Sequence, residues 1–351
     1  MRMIEFLLTA WERWVNIGIN GRDPSGFHLD GMKDIINKIP PFVLTNVPIH
    51  RNKHQQPSTH LLGKVGFYST EQDTPIFNDL QLELINDAAL VEKAVDYVLN
   101  NNNNKNNNSD CINSSNTVYM IPTHPGHHAA YDCYGGYCYV NHAAACADLI
   151  KKRLSNSSSM YNNNNDIQIQ QQQIQQQPKI VILDIDYHCG NGTASIFYND
   201  PNVYVISIHC HPDYEYPFHS GFHNQIGSGE GIGTTLHIPL LPKATWNEHY
   251  KFALEKAIYT INNYKPNALI ISMGLDTYDL DPCAVRRAGF CLKDNDYIEL
   301  GKTLSNGLII SLQNLPTIFI QEGGYRMDKI GQAAVDIVTS FVECRKQQNK
   351  R

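Results

Sequence analysis

The sequence predicts an α/β fold: one doubly wound, mainly parallel sheet flanked by helices, with its reactive groups at the C-terminal ends of the strands. Three observations carry this reading. Short runs rich in β-branched and large aliphatic residues recur at 117–121, 180–184, 203–208, 268–273 and 317–320, the length and composition of buried strands. Helix-period patterns separate the later runs: Trp246, Tyr250, Leu254, Ala257 and Ile261 form one apolar stripe, and 297–312 and 331–342 give further helices. Strand and helix in alternation mean parallel strands joined by crossovers. Finally, the chemically loaded residues stand just past strand ends: His127 and His128, Asp186 and His188, Ser207, Asp276, and the segment 322–325. In open parallel sheets that edge is where ligands bind.

Taken in order, residues 1–19 read as an amphipathic helix, with Ile4, Leu7, Leu8, Trp11 and Val15 at helical spacing. Residues 20–67 are irregular, with many Gly, Pro and His and little periodicity, long for a loop without structure of its own. A firm helix follows on the stripe Leu84, Ala88, Val91, Val95 and Val98. Two tracts are of low complexity: 100–108 is nearly all Asn, and 155–177 is rich in Ser, Asn and Gln. Such composition buries too little apolar surface to offset its ordering entropy. Both tracts read as disordered insertions, at about 100–110 and 155–178, into loops of a single domain spanning 1–351. The motifs on either side of the second tract have to meet to make a site.

Composition narrows the function classes. A formal net charge of -6 gives no basic field for direct nucleic-acid binding. The 9 cysteines are scattered without a CxxC pair, so reduced thiols of an intracellular protein are expected in place of a disulfide framework. No apolar run reaches membrane-span length, and the first apolar segment is soon interrupted by Glu12 and Arg13. A cytoplasmic or nuclear location is the expectation.

The stretch from Ile180 through Asp184, Asp186 and His188 to Thr193 is the centre of the chain. Side chains alternate along an extended segment, so Asp184, Asp186 and His188 point to one side. Two carboxylates and an imidazole on one side at the mouth of a sheet are metal-ligand chemistry. Gly190, Asn191 and Gly192 then turn the chain into a helix beginning near Thr193. Three more segments bear reactive groups: Pro125-Gly126-His127-His128-Ala129 with Gly135-Gly136-Tyr137-Cys138-Tyr139-Val140-Asn141 behind it; Ser272-Met273-Gly274-Leu275-Asp276 with Asp281-Pro282; and Gln321-Glu322-Gly323-Gly324-Tyr325. Alone, a Pro-Gly-His-His turn is more often a polar loop, a strand-end Asp an ordinary cap, and a Gly-Gly-Tyr a turn.

In this order, each after a strand, the four segments resemble the zinc-dependent superfamily of histone deacetylases and acetylpolyamine amidohydrolases, with its arginase/deacetylase-like fold. The resemblance runs from about Val65 to the C-terminus. Tyr214-Glu215-Tyr216-Pro217-Phe218, the 227–235 stretch and the 7–14 segment are similar to the acetylpolyamine amidohydrolase branch. It implies a catalytic Zn²⁺ held by Asp186, His188 and Asp276, with open positions for water and substrate. It implies that His128 is the general base and acid and that His127 acts electrostatically, the two oriented by Asn191 and Asp184 respectively. Tyr325 matches the phenol that stabilises the oxyanion. Tyr137 and Tyr216 match the aromatic walls of an acyl channel, and Gly136 leaves room in it. Asp184, Asp186, His188, Ser207 and Ile208 also match a monovalent-cation site, with K⁺ as a candidate second ion.

The implied function is deacetylation of N-acetylated amines, with acetyl-lysine in histones or other proteins first and acetylpolyamine as the alternative. A polyamine site needs carboxylates for the distal ammonium groups. Yet 38–64 holds no Asp or Glu, and Cys283, Arg286 and Arg287 follow Asp276 where an acid would stand. Thr123 and His124 also replace an Arg-Pro usual before Pro125 in that branch. The family's opening strand and helices are expected to be missing, which makes a weakly active or inactive metal- and acetyl-lysine-binding protein the reading from another class. A binuclear manganese hydrolase needs bridging ligands that the His-His and Tyr325 pattern does not supply. The sequence leaves the oligomeric state open, with a homodimer as one option.

Overall fold

The computed structural model describes residues 68–71, 74–77, 79–103, 116–160, 177–284 and 289–348. Residues 1–67, and with them the expected first helix and irregular segment, lie outside the described residues, as do 104–115 and 161–176, which take in most of the two low-complexity tracts. Helix α1 (Leu80–Asn103) leads into strand β1 (Thr117–Met120), and α2 (His142–Met160) precedes β2 (Ile180–Asp184). Short α3 (Asn191–Ile196), β3 (Val203–Cys210) and β4 (Thr235–Leu240) follow, then α4 (Lys251–Tyr264), β5 (Ala268–Met273), α5 (Asp294–Gly307), β6 (Thr317–Gln321) and α6 (Ile330–Gln348).

The strands form one six-stranded sheet in the order β1-β6-β5-β2-β3-β4, parallel at every pairing. Central β2 and β5 are buried along their whole length, as strands covered on both faces must be. Ile180, Ile182, Val205, Ile270 and Ile318 pack under α1, α2 and α3; Val181, Leu183, Ile206, Ile271 and Phe319 pack under α4, α5 and α6. The fold is therefore a helix–sheet–helix sandwich.

This order dictates where a site can form. From β2 the chain steps outward to β3 and β4, then returns to the other side of β2 as β5 and continues to β6. Beyond the carboxyl ends of β2 and β5 the connections diverge and leave a crevice, the switch point of a doubly wound sheet. Register places Asp184 level with both Ser207 and Ser272, so the segments after β2 and β5 leave the sheet side by side.

Four details differ from the sequence pattern or add to it. Strand β4 is an edge strand that the pattern does not mark. Helix α2, rich in Ala, is likewise unmarked. The helix expected over 297–312 stops at Gly307, and a short 3₁₀ turn takes up Ile310–Leu312. Helix α1 runs to Asn103, so the asparagine tract begins inside its last turn. Among the described residues no helix is long and apolar enough to cross a membrane, and the eight described cysteines are free thiols.

Candidate active site

Where β2 ends, the backbone folds its own carboxylates inward. Asp184 accepts the N–H of Asp186 at 3.0 Å, and Asp186 accepts the N–H of His188 at 2.8 Å. From the neighbouring β5, Asp276 accepts the N–H of Tyr187 at 2.9 Å, tying the two strand ends together. The result is a convergence on one point. Nδ1 of His188 lies 2.8 Å from Asp276 Oδ2 and 3.3 Å from Asp186 Oδ1, and both aspartates are fully buried. Gly274 makes room for it: a Cβ there would stand 1.9 Å from Asp186 Oδ2.

One imidazole nitrogen facing two buried carboxylates is a cation-binding donor set. Its electrostatics agree. Burial raises Asp276 to about 7, helped by the charge of Asp186. Burial alone would depress His188, but hydrogen bonds to Asp186 and Asp276 hold it well above the ordinary imidazole value. Buried carboxylates demand positive charge, which a bound cation would supply. Asp186, His188 and Asp276 fit a metal ion.

The two histidines enter on the loop after β1. Thr193, in α3, donates its N–H to the His127 carbonyl at 3.1 Å, and the Asn141 side chain donates to the Ala129 carbonyl at 3.0 Å and to Thr193 Oγ1 at 2.9 Å. The rings lie 3.9 Å apart, centroid to centroid. Their partners differ in kind. His127 Nδ1 lies 3.0 Å from the Asp184 carboxylate, and its Nε2 lies 3.7 Å from Asp186. His128 Nδ1 lies 2.7 Å from the Asn191 side-chain oxygen. Burial works against charge on both rings, but the carboxylates of Asp186 and Asp184 hold His127 up at about 10. Burial, reinforced by His127 and His188, depresses His128 well below the ordinary value. Adjacent imidazoles are thus split into a charged one and a neutral one. Donation from His128 Nδ1 to Asn191 leaves the lone pair on Nε2.

Three tyrosines surround this core. Tyr216 stands edge-on to His128, with ring centres 4.7 Å apart at 88°, and 6.2 Å from His188. Tyr137 and Tyr325 face each other at 6.3 Å and 66°. Burial pushes the Tyr325 phenol well above its ordinary value, so it stays an O–H donor. Gly136 has φ of 58°, and a Cβ on it would meet His128 Cδ2 at 2.3 Å. The space that glycine leaves is filled by the histidine ring, a nearer requirement than room for an acyl arm.

Residues to which the resemblance assigns no role hold these groups. Glu322 accepts the N–H groups of Gly126 at 2.6 Å and His127 at 3.1 Å while Ser272 Oγ donates to it at 2.8 Å. Tyr137 has φ of 63°, costly for a side-chain-bearing residue. Its N–H donates to Thr74 Oγ1 at 2.8 Å, and that of Gly136 to Glu71 Oε1 at 3.1 Å. Glu71 and Thr74 lie far from every motif in sequence; only the tertiary fold reveals them.

Two other groups bring metal-ligating atoms together, His127–Cys138–Glu322 and Cys189–His209–His237. In the first, His127 Nδ1 serves Asp184 and Glu322 serves backbone amides. In the second, His209 Nδ1 pairs with Ser207 Oγ at 2.8 Å and its Nε2 donates to the Gly221 carbonyl at 2.9 Å. Both are hydrogen-bond networks.

Comparison with known proteins decides the family. The family model described as the histone deacetylase domain matches residues 42–341. The chain belongs to the histone deacetylase domain family. The match begins upstream of Val65, where the motif resemblance starts. Acetylpolyamine amidohydrolase 1 of Pseudomonas aeruginosa is 30% identical over 96% of this chain and 79% of its own length. The acetylpolyamine amidohydrolase of Mycoplana ramosa is 28% identical over 95% and 79%. A crystal structure of acetylpolyamine aminohydrolase from Burkholderia pseudomallei superposes with a TM-score of 0.66 at 22% identity, covering 92% of this chain and 79% of that one; it supports the fold. The protein is a hydrolase of the acetylpolyamine amidohydrolase and histone deacetylase type.

Proposed function

We propose that this family member is a zinc-dependent amidohydrolase that cleaves the acetamide of an N-acetylated aliphatic amine, releasing acetate and the free amine. The observation that carries the reading is the pair of histidines with unlike partners, a carboxylate behind His127 and an amide oxygen behind His128, beside the Asp186–His188–Asp276 donor set. Asp186, His188 and Asp276 would hold the zinc, which when bound would supply Lewis-acid polarisation of the amide carbonyl and activation of water. His128, neutral with its lone pair at Nε2, takes the proton of the attacking water and delivers it to the departing nitrogen. His127, charged against Asp184, keeps its proton and stabilises developing negative charge. The Tyr325 hydroxyl donates to the carbonyl oxygen as it becomes an oxyanion. Tyr137 and Tyr216 flank a slender methylene stem and exclude water around it.

The motifs favour acetyl-lysine in the absence of obvious carboxylates for distal ammonium groups. The relatives matched along nearly the whole chain carry the acetylpolyamine name, which favours a small acetylated amine. Asp184, Asp186, His188, Ser207 and Ile208 are further proposed as a K⁺ site, supported by the register of Asp184 with Ser207. The test is a panel of acetyl-lysine peptides and acetylated polyamines with zinc-loaded protein, read as acetate release. Turnover of one class is expected; no turnover with stoichiometric metal bound would refute the reading. Asp186→Ala and His128→Ala should both abolish turnover, and only the former should empty the metal site.

A further inference from the structure

Every catalytic group named so far sits on a loop, and a loop positions a phenol only as well as it is itself held. Tyr325 follows β6 by four residues. Its N–H donates to Asp281 Oδ2 at 2.7 Å, and the N–H of Arg326 donates to the same oxygen at 3.0 Å. The other oxygen of that carboxylate accepts the N–H of Cys283 at 2.9 Å. Asp281 is itself 1% exposed, and its own N–H is bound by the Tyr278 carbonyl at 3.1 Å. It belongs to the segment after β5 that also carries Asp276. One buried carboxylate therefore joins the ligand-bearing segment to the phenol-bearing one. The start of the latter is fixed independently, since Gly323 donates to Asp186 Oδ2 at 3.0 Å and its carbonyl accepts the N–H of Leu275 at 2.8 Å.

Two successive N–H groups converging on one carboxylate oxygen fix the dihedrals of the residue between them, and with them the direction in which the Tyr325 ring leaves the backbone. Charge-assisted bonds of this kind are roughly twice as strong as neutral ones. A donor to an oxyanion has to stay within a few tenths of an ångström of its position. We propose that Asp281 is a positioning residue for Tyr325, a role that rests on the deacetylase reading of the site. It touches no reacting atom and acts through the phenol alone.

The experiment compares Asp281→Ala and Asp281→Asn in zinc-loaded protein, alone and combined with Tyr325→Phe, together with hydrogen exchange at the amides of Tyr325 and Arg326. Asp281→Ala is expected to lower kcat on the order of a hundredfold with little change in KM or metal content. Asp281→Asn, which keeps one acceptor oxygen for the amide pair, should recover most of that loss. In the Tyr325→Phe background neither change should lower kcat further, because the group being positioned is gone. If Asp281→Ala does not fold, the exchange rates of the two amides in Asp281→Asn, where the acceptor has lost its charge, test the same role. Exchange at both amides should accelerate in each folded variant. An equal loss of kcat with and without the Tyr325 hydroxyl, or unchanged exchange at the two amides, would overturn the proposal while leaving the deacetylase reading intact. A metal-loaded wild type without turnover would overturn both.

Discussion

Gly136→Ala is the sharpest perturbation of the catalytic geometry, because it adds one methyl group at a point already occupied. The new Cβ would lie 2.3 Å from His128 Cδ2, 2.8 Å from Cγ and 3.0 Å from Cβ. An ordinary contact begins at 3.4 Å, so ring and loop must separate by about 1.1 Å, the scale of misplacement that costs on the order of a hundredfold in rate. The imidazole cannot retreat freely, since Asn191 holds its Nδ1 at 2.7 Å and Tyr216 stands against its face. The φ of 58° adds a backbone cost of about 1–2 kcal/mol for alanine. The three atoms nearest the new methyl group all belong to His128 and none to a candidate metal ligand, so metal content should hold. The expected result is kcat for acetate release down about a hundredfold with stoichiometric zinc retained. A kcat close to wild type at equal metal content would refute the assignment of His128 as the proton carrier.

Two further predictions concern metal and pH. Gly274→Ala forces a methyl group to within 1.9 Å of Asp186 Oδ2 and should lower zinc occupancy, measured by metal analysis after dialysis, while leaving the far-ultraviolet circular dichroism unchanged. His209 and His237 are buried and held neutral, pushed down to about 3 and about 4 from 6.5 chiefly by burial. Their unfolded forms take up protons below 6.5 and the folded forms do not, so the stability they contribute is present above 6.5 and is lost as pH falls. Between about pH 7.5 and 5 each should cost about 2 kcal/mol. Asp276 and Glu322, raised to about 7 by burial, act in the opposite direction. They are common to both proteins, so the comparison is with His209→Gln/His237→Asn: the stability gap from denaturant melts should move by about 4 kcal/mol in the variant's favour on acidification. A gap independent of pH would refute the neutral assignment.

The site was legible to the degree that its chemistry is written at strand ends. In a parallel sheet all C-termini share one edge, so polar residues abruptly following an apolar run, as at Asp186 and His188, announce both the fold and its reactive side. Order along the chain then brought His127, His128, Asp276 and Tyr325 into one constellation. What stayed hidden has physical causes. Strand β4, Thr-Leu-His-Ile-Pro-Leu, is only partly buried, and a histidine and a proline stand between its aliphatic residues, so no continuous apolar run marks it. Helix α2 begins with His-Ala-Ala-Ala-Cys-Ala, where uniformly small residues leave little amphipathic contrast. The helix ends where Leu308 turns extended, at φ -74° and ψ 133°, and the residue before it, Gly307, packs so close to Ile258 that a Cβ would lie 2.9 Å from a methyl carbon. Glu71 and Thr74 are single polar residues that hold the backbone amides of distant Gly136 and Tyr137, and Asp281, visible as a motif residue, holds those of Tyr325 and Arg326; a one-dimensional pattern has no term for such partners.

The adjacency of β2 and β5 also bears on how the protein is made. Asp186 and Asp276 leave neighbouring strands, yet β3, β4 and α4 intervene between those strands along the chain. The donor set cannot close until that whole excursion has folded back and β5 has docked beside β2, a long-range closure of the kind that slows folding. Tyr325, reached through β6, arrives later still during synthesis. Until β5 docks, the chain offers only the neighbouring pair Asp186 and His188, and the third donor, Asp276, comes with β5. Metal affinity matures with the sheet, and ion binding then stabilises only chains in which the central strand pair has already formed.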